Sequence, residues 1–275
     1  MGQHNYGICQ GRLIKSPNNE LQWFPGRKWQ EEFKLANLTG YQYVELLAER
    51  EHNPNNPIWS QNGINMIKEK MINNNLIAYS ICLDYIIDNP LISNSQIVEQ
   101  TLNYCLDLLN KAYELNLKLV VLPLLEASKI NQENMALYIE LLFLISNKAK
   151  ELNLGIAIES LLSPDLLIKV IDSVNSFNLG AVYDTGNRAL ISNNPLEDIK
   201  KLKNRIHHIH LKDVRKPFGN VPIGTGIVDF LGIFKLLSTI KYQRNYSFES
   251  NRGEDPQATG SHNLIFIQYI QSLVQ

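Results

Sequence analysis

Apolar positions along this chain alternate between two rhythms. Eight short runs, NYGICQ, YQYVELL, LIAYSICL, KLVVLP, GIAIES, LGAVYD, RIHHIHL and NYSFES, are continuous or alternating in apolar character, which suits β-strands. Each leads into a longer stretch with apolar residues three and four apart, which suits helices over residues 27–38, 64–73, 96–115, 132–152, 164–177, 195–202, 230–240 and 256 to the end. In the fourth stretch, Leu137, Leu141, Leu142 and Ile145 form one apolar stripe. Boundary residues agree with this division. Ser163-Pro164, Asn194-Pro195 and Asp255-Pro256 place a capping side chain before proline at the first helical position. Glu197 follows Asn194 in a relative of the capping box, and Gly40 suits a left-handed helix stop.

Strands that alternate with helices pair in parallel through right-handed crossovers, and eight such units close a (β/α)8 TIM barrel. An open doubly wound sheet is the alternative. A chain of 275 residues, 44% of them hydrophobic, fits a single barrel domain over residues 1–275, and no linker interrupts the alternation. The longest irregular stretches, 11–26, 48–61 and 214–228, all follow strands, at the barrel end where substrate contacts gather. Asparagine is abundant but dispersed, which reads as a compositional habit.

A net charge of -1 leaves no electrostatic footprint for nucleic acid or an anionic membrane. No apolar run is long enough to span a bilayer, and the first residues lack a basic segment followed by an apolar one. Cys9, Cys82 and Cys105 lie far apart and form no CxxC pair, which points to reduced thiols and a cytoplasmic location. The expected partner is a small molecule, with a homodimer as the assembly entertained.

Four of the strand-like runs carry, at or one position before their end, a residue that can bind a metal: Glu159, Asp184, His210 and Glu249. Residues that end different barrel strands converge on one mouth, so these four are expected to meet. A single acidic residue ending a strand is more often a helix cap or a solvated loop residue. Carboxylates gathered in one mouth repel one another and lose solvation unless a cation neutralises them. Three carboxylates and an imidazole form a mostly hard donor set that suits Mn²⁺, Mg²⁺ or Co²⁺ and could also hold Zn²⁺.

The segment from Leu179 to Pro256 resembles the xylose-isomerase-like superfamily of barrel epimerases and isomerases. Within it, HIHLKD (208–213), NVPIGTGIVDF (220–230) and FES (248–250) are similar to the L-ribulose- and L-xylulose-5-phosphate 3-epimerase branch. Trp29, Phe33 and Ala36 before Gly40, VEL with Glu45, Trp59-Ser60 and CLDYIIDNPL (82–91) fit the same branch, so the likeness runs nearly the whole chain. CQGRL (9–13) with Phe24-Pro25 also resembles a less characterised subgroup of sugar isomerase-like proteins. The resemblance implies a metal held at Glu159, Asp184, His210 and Glu249, with Glu159 and Glu249 also moving protons. A C3 proton beside a C2 ketone becomes acidic only if the developing enediolate is stabilised, which a divalent cation does. Two carboxylates on opposite faces can then remove and return the proton, inverting C3.

Several neighbours are candidates for contact with a sugar or sugar phosphate. His208 shares the strand face of His210 and would be a partner of that ligand or a core histidine. Lys212-Asp213 would orient the site or form a solvated loop pair. Asn187 stands where related ketose epimerases carry a histidine, and its amide can still bond a hydroxyl. Glu45 and Asp84 are candidate hydroxyl binders or caps, and Trp23 and Trp59 would wall a sugar or anchor loops. Arg215, Lys216 and Arg252, with the amides of residues 224–226, lie where barrels often bind phosphate or are plain surface charges and a tight loop. Thr225 replaces the acidic residue usual in the phosphoketose branch. Rival readings are an inosose-type dehydratase on the same site, an endonuclease IV-like metal hydrolase and a non-catalytic sugar-binding barrel. The hydrolase would need more histidines than the six present and a basic surplus.

Overall fold

The computed structural model describes residues 4–17, 20–217 and 219–274. Among these, eight parallel strands close a barrel in the order β1-β8-β7-β6-β5-β4-β3-β2. The strands are β1 (Tyr6–Cys9), β2 (Tyr43–Ala48), β3 (Ser80–Leu83), β4 (Leu119–Pro123), β5 (Gly155–Glu159), β6 (Leu179–Asp184), β7 (Ile206–Leu211) and β8 (Tyr246–Phe248). The principal helices outside them are α1 (Trp29–Thr39), α2 (Gln61–Asn73), α3 (Glu99–Glu114), α4 (Met135–Glu151), α5 (Pro164–Val174), α6 (Pro195–Leu202), α7 (Phe230–Thr239) and α8 (Pro256–Ser272). The barrel is therefore the closed one and not the open sheet. No helix among the described residues is long and apolar enough to cross a membrane.

Helix starts follow the predicted caps in two of three places. Asn194 accepts from the Glu197 amide and Asp255 from those of Gln257 and Ala258, whereas Ser163 makes no side-chain cap bond and leaves Pro164 alone to set the turn. Helix stops use a device that the composition disguised. Residue 75 after α2, 116 after α3, 153 after α4 and 175 after α5 are all asparagines with φ between 52° and 60°. In the first three cases the next residue is a buried leucine whose amide bonds back five residues: Leu76 to Met71, Leu117 to Ala112 and Leu154 to Ala149. Gly40 with Tyr41 after α1, and Lys241 with Tyr242 after α7, repeat the geometry. This is the Schellman stop, in which an apolar plug seals the last turn. Asparagine serves because its short polar side chain tolerates the left-handed region better than other non-glycine residues.

Four elements escaped the periodicity reading. A one-turn helix (Tyr85–Asp88) and a small hairpin (Ile92–Ser93 with Gln96–Ile97) follow β3, and the second hairpin strand takes the start of the predicted 96–115 helix, which begins instead at Glu99. A short helix (Thr185–Ile191) precedes α6, and a hairpin (Asp213–Arg215 with Gly219–Val221) occupies part of the irregular stretch after β7. All are too short to show a hydrophobic period.

The barrel interior is divided. Leu47, Cys82, Leu119, Val121, Ala157 and Val182 form an apolar cluster, while Tyr43, Glu45, Ser80, His208 and Ser247 are buried and linked by hydrogen bonds. Gly7 makes room for this arrangement: a Cβ there would stand 2.1 Å from the Tyr43 ring. Strand register then sets the mouth. Asp184 lies beside His210, and the Glu249 amide, just past β8, donates to the Leu211 carbonyl.

Substituting Asn116→Ala is expected to cost about 1 kcal/mol through left-handed strain, while Asn116→Gly changes stability by less than about half that. Urea denaturation of both variants checks it; equal losses would show that the stop does not depend on backbone freedom.

Candidate metal centre

The barrel brings the four predicted strand-end residues together. One donor atom from each of Glu159, Asp184, His210 and Glu249 lies within 4.8 Å of the others. All four are buried, none more than 6% exposed. Asp184 spends Oδ1 on the Asn187 amide at 2.7 Å, as N-cap of the short helix that follows it, which leaves Oδ2 free. Glu159 Oε1 accepts from Asn187 Nδ2 at 2.8 Å, and Glu249 Oε1 accepts from Gln22 Nε2 at 2.9 Å. Each carboxylate is thus tethered by one oxygen. His210 Nδ1 is buried with no hydrogen-bond partner, and the inward oxygens Asp184 Oδ2 and Glu249 Oε2 share the single ammonium of Lys212. Under-used ligand atoms of this kind at one point fit a divalent cation.

Lys212 adds positive charge, its ammonium 3.0 Å from both Asp184 Oδ2 and Glu249 Oε2. It does not neutralise three carboxylates. Burial, then the charges of Asp184 and Glu249, push Glu159 up to about 8. Burial also raises Asp184. Burial acts on Glu249 in the same sense, but Lys212, His210 and Arg12 outweigh it and hold that carboxyl well below the usual range.

His210 is fixed from below. Its Nε2 lies 2.9 Å from Glu45 Oε1, and the ionised carboxylate can only accept, so Nε2 carries the proton and Nδ1 faces the cluster. Glu45 also accepts from Ser80 Oγ at 2.7 Å, Ser247 Oγ at 2.8 Å and His208 Nε2 at 2.9 Å. Burial raises Glu45, yet His210 and His208 outweigh it and keep the carboxyl well below its ordinary value. Of the two residues expected to contact a sugar here, His208 is fully buried beneath the mouth, and Glu45 reaches the cavity floor with both oxygens already engaged inside the barrel.

Above the cluster opens a cavity of about 200 Å³, lined among others by Gln22, Arg50, Asp84, Leu125, Asn187 and Lys212. Asp84 and Asn187 both line this cavity. Asp84 bonds Cys82 Sγ through Oδ1 at 3.2 Å, its Oδ2 is unpartnered, and burial raises it to about 6. Trp59 lies outside the lining and packs on His52 and Tyr104 with ring centroids 5.5 and 4.8 Å away, so it anchors its loop. Arg215 is exposed on the hairpin after β7 and donates to the Thr225 carbonyl, away from the lining.

Several donors expected to hold a phosphate are engaged within the protein. Gly224 and Gly226 amides donate to Asp213 Oδ2 at 3.0 and 2.8 Å, and the Val228 amide to Asp213 Oδ1 at 3.1 Å. Arg252 is buried and donates to the carbonyls of Gly11, Glu20 and Leu21. Arg12 and Gln22, which both reach Glu249, were not anticipated as part of the site. Isolated polar residues in a loop carry no periodic signal, and only the CQGRL resemblance drew attention to Arg12.

A closed parallel barrel with a buried carboxylate and histidine cluster at its C-terminal mouth has its candidate site where barrel enzymes carry theirs. Residues 33–267 match the family described as Xylose isomerase-like TIM barrel, and the chain belongs to that family. A Haemophilus influenzae protein provisionally named L-ribulose-5-phosphate 3-epimerase is 23% identical, covering 93% of this chain and 92% of its own. The solved structure of an L-ribulose 3-epimerase superposes with a TM-score of 0.80 at 17% identity, over 99% of this chain and 96% of its own. A xylose isomerase-like TIM barrel protein from Mycobacterium smegmatis, solved in complex with magnesium, gives 0.74 at 16% identity, over 99% and 98%. The structural likenesses establish the fold, and with the sequence relatives the chain is an enzyme of this family.

Removing the Glu45 carboxylate charge by Glu45→Gln is expected to weaken Mn²⁺ binding roughly 10- to 100-fold, because His210 loses its orienting acceptor. Isothermal titration checks this, with Trp59→Phe as a control expected to bind like the parent. Equal affinities for parent and Glu45→Gln would show that His210 does not depend on the buried carboxylate.

Proposed function

We propose that this protein is a divalent-metal-dependent 3-epimerase of an uncharged ketose, with Glu159 and Glu249 exchanging the C3 proton. The observation that carries the reading is a pair of buried glutamates, delivered from β5 and β8 with two strands between them, whose Oε2 atoms lie 3.7 and 3.4 Å from the same His210 Nδ1. Glu159, Asp184, His210 and Glu249 would hold the cation, which when bound supplies the positive charge that acidifies a proton beside a ketone. One glutamate takes the C3 proton from its side of the sugar, and the other delivers a proton from the opposite side, so C3 is inverted. Asn187 and Gln22 hold the remaining oxygen of each glutamate and keep the reactive one inward. Asp84, raised to about 6, presents an unpartnered oxygen to a sugar hydroxyl.

Donor bookkeeping supports an uncharged substrate. Barrels commonly grip phosphate after strands seven and eight. In this chain the glycine-loop amides there are spent on Asp213, the first amides of α8 on Asp255, and Arg252 on backbone carbonyls. Arg50 at the cavity rim is paired with Asp88 and Glu126 at 3.0 and 2.6 Å. A phosphate dianion would enter a carboxylate-rich mouth where these donors are already engaged and its lost hydration is costly to replace. In this the chain departs from what the name of its Haemophilus influenzae relative suggests.

In D2O, manganese-loaded protein is expected to place deuterium at C3 of a free ketopentose or ketohexose at least about ten-fold faster than in the matching sugar phosphate, an energy difference of about 1.4 kcal/mol. Glu159→Gln and Glu249→Gln should each slow epimerisation roughly 10²- to 10⁴-fold. NMR of recovered sugars decides: no C3 deuterium in any sugar rejects the epimerase, entry at C1 indicates an aldose-ketose isomerase, and faster labelling of phosphates rejects the uncharged substrate.

A further inference from the structure

The loop between β1 and α1 is held from two sides although it contributes none of the four clustered ligands. Glu32, on α1, is fully buried and uses both oxygens on this loop, accepting from the Gly11 amide at 2.7 Å and the Leu13 amide at 3.1 Å. Arg252, beyond β8, grips it through the carbonyls of Gly11, Glu20 and Leu21, the last at 2.9 Å. The two ends of the loop also touch, since a Cβ on Gly11 would stand 1.9 Å from the Trp23 carbonyl oxygen and its φ is +84°. Burying a carboxylate and a guanidinium to fix a surface connection costs desolvation, so the position of the loop has to matter.

What the loop delivers is a grip on one atom. Arg12, 2% exposed, donates from Nη1 to the Ser250 carbonyl at 3.1 Å and from Nη2 to Gln22 Oε1, and the same Nη2 reaches Glu249 Oε1 at 3.4 Å. Gln22 donates to that oxygen at 2.9 Å. Glu249 Oε1 is thereby pinned on the loop side while Oε2 turns to His210 and Lys212. Among the described residues of the loop Glu159 has no counterpart of this brace; its tether is Asn187, from the helix after β6.

We propose that Arg12 and Gln22 are positioning residues for proton transfer at Glu249, with Glu32 and Arg252 positioning them in turn. The proposal rests on the reading of Glu249 as one of two proton-transfer groups. It separates the two faces of the reaction. Washout of the C3 hydrogen into D2O without inversion uses a single glutamate, so one epimer reports Glu249 and the other Glu159. Loosening the brace should slow washout on one epimer alone.

The test uses the full chain loaded with Mn²⁺ and three variants, Gln22→Ala, Arg12→Lys and Glu32→Gln, with initial washout rates measured by NMR from each epimer separately. Gln22 is only partly buried, so Gln22→Ala keeps the test alive if another variant fails to fold. The expected result is a roughly ten- to hundred-fold loss from one epimer, with less than about three-fold change from the other, the size that a misplacement near 1 Å produces. Equal losses from both epimers, or none from either, overturn the proposal. A parent protein that exchanges neither epimer defeats the epimerase reading instead, and Mn²⁺ titration then decides the brace: weaker binding in Gln22→Ala and Arg12→Lys supports a hold on Glu249, and unchanged binding removes it.

Discussion

Negative charge packed into the barrel mouth is the constraint from which the rest of the architecture follows. Glu159, Asp184 and Glu249 converge from different strands into a space sheltered from water. Left alone they would repel one another and protonate, as the upward pressure on Glu159 shows. Lys212 relieves part of that pressure, and a divalent cation would relieve the rest. Every carboxylate is held by a directional bond on its outer oxygen, so the repulsion does not scatter them.

The interior beneath the mouth is organised for the same end. One side of the barrel is filled with small and branched apolar side chains, and the other carries a hydrogen-bonded chain from Tyr43 through Ser247 and Glu45 to His210. A fully apolar filling would stabilise the barrel equally well. It would leave the imidazole free to choose its tautomer and tilt. The buried polar half trades some ease of packing for one orientation of one ring.

The sequence made the barrel and its four clustered residues legible because both depend on repetition. Eight strand-helix alternations and four strand-end ligands are patterns, and patterns survive the absence of coordinates. What escaped depends on single long-range pairings. Glu45 looked like a hydroxyl binder because strand position places it near the mouth, and only the coordinates show four donors meeting on it besides a thiol. Arg252 looked like a phosphate ligand because it follows strand eight, but it turns back on the carbonyls of the first loop, more than two hundred residues away. The Gly224 to Gly226 amides were readable as a loop, not as a loop wrapped on Asp213.

The asparagine helix stops alter how the composition of the chain should be understood. A residue type that first resembled background bias marks the ends of four consecutive helices, α2 to α5. It works as punctuation, telling the chain where to leave one helix and turn toward the next strand. A filter that discounts asparagine as compositional noise would therefore erase grammar along with repetition, and any recoding of this protein toward a less biased composition has to keep asparagine or glycine at those positions.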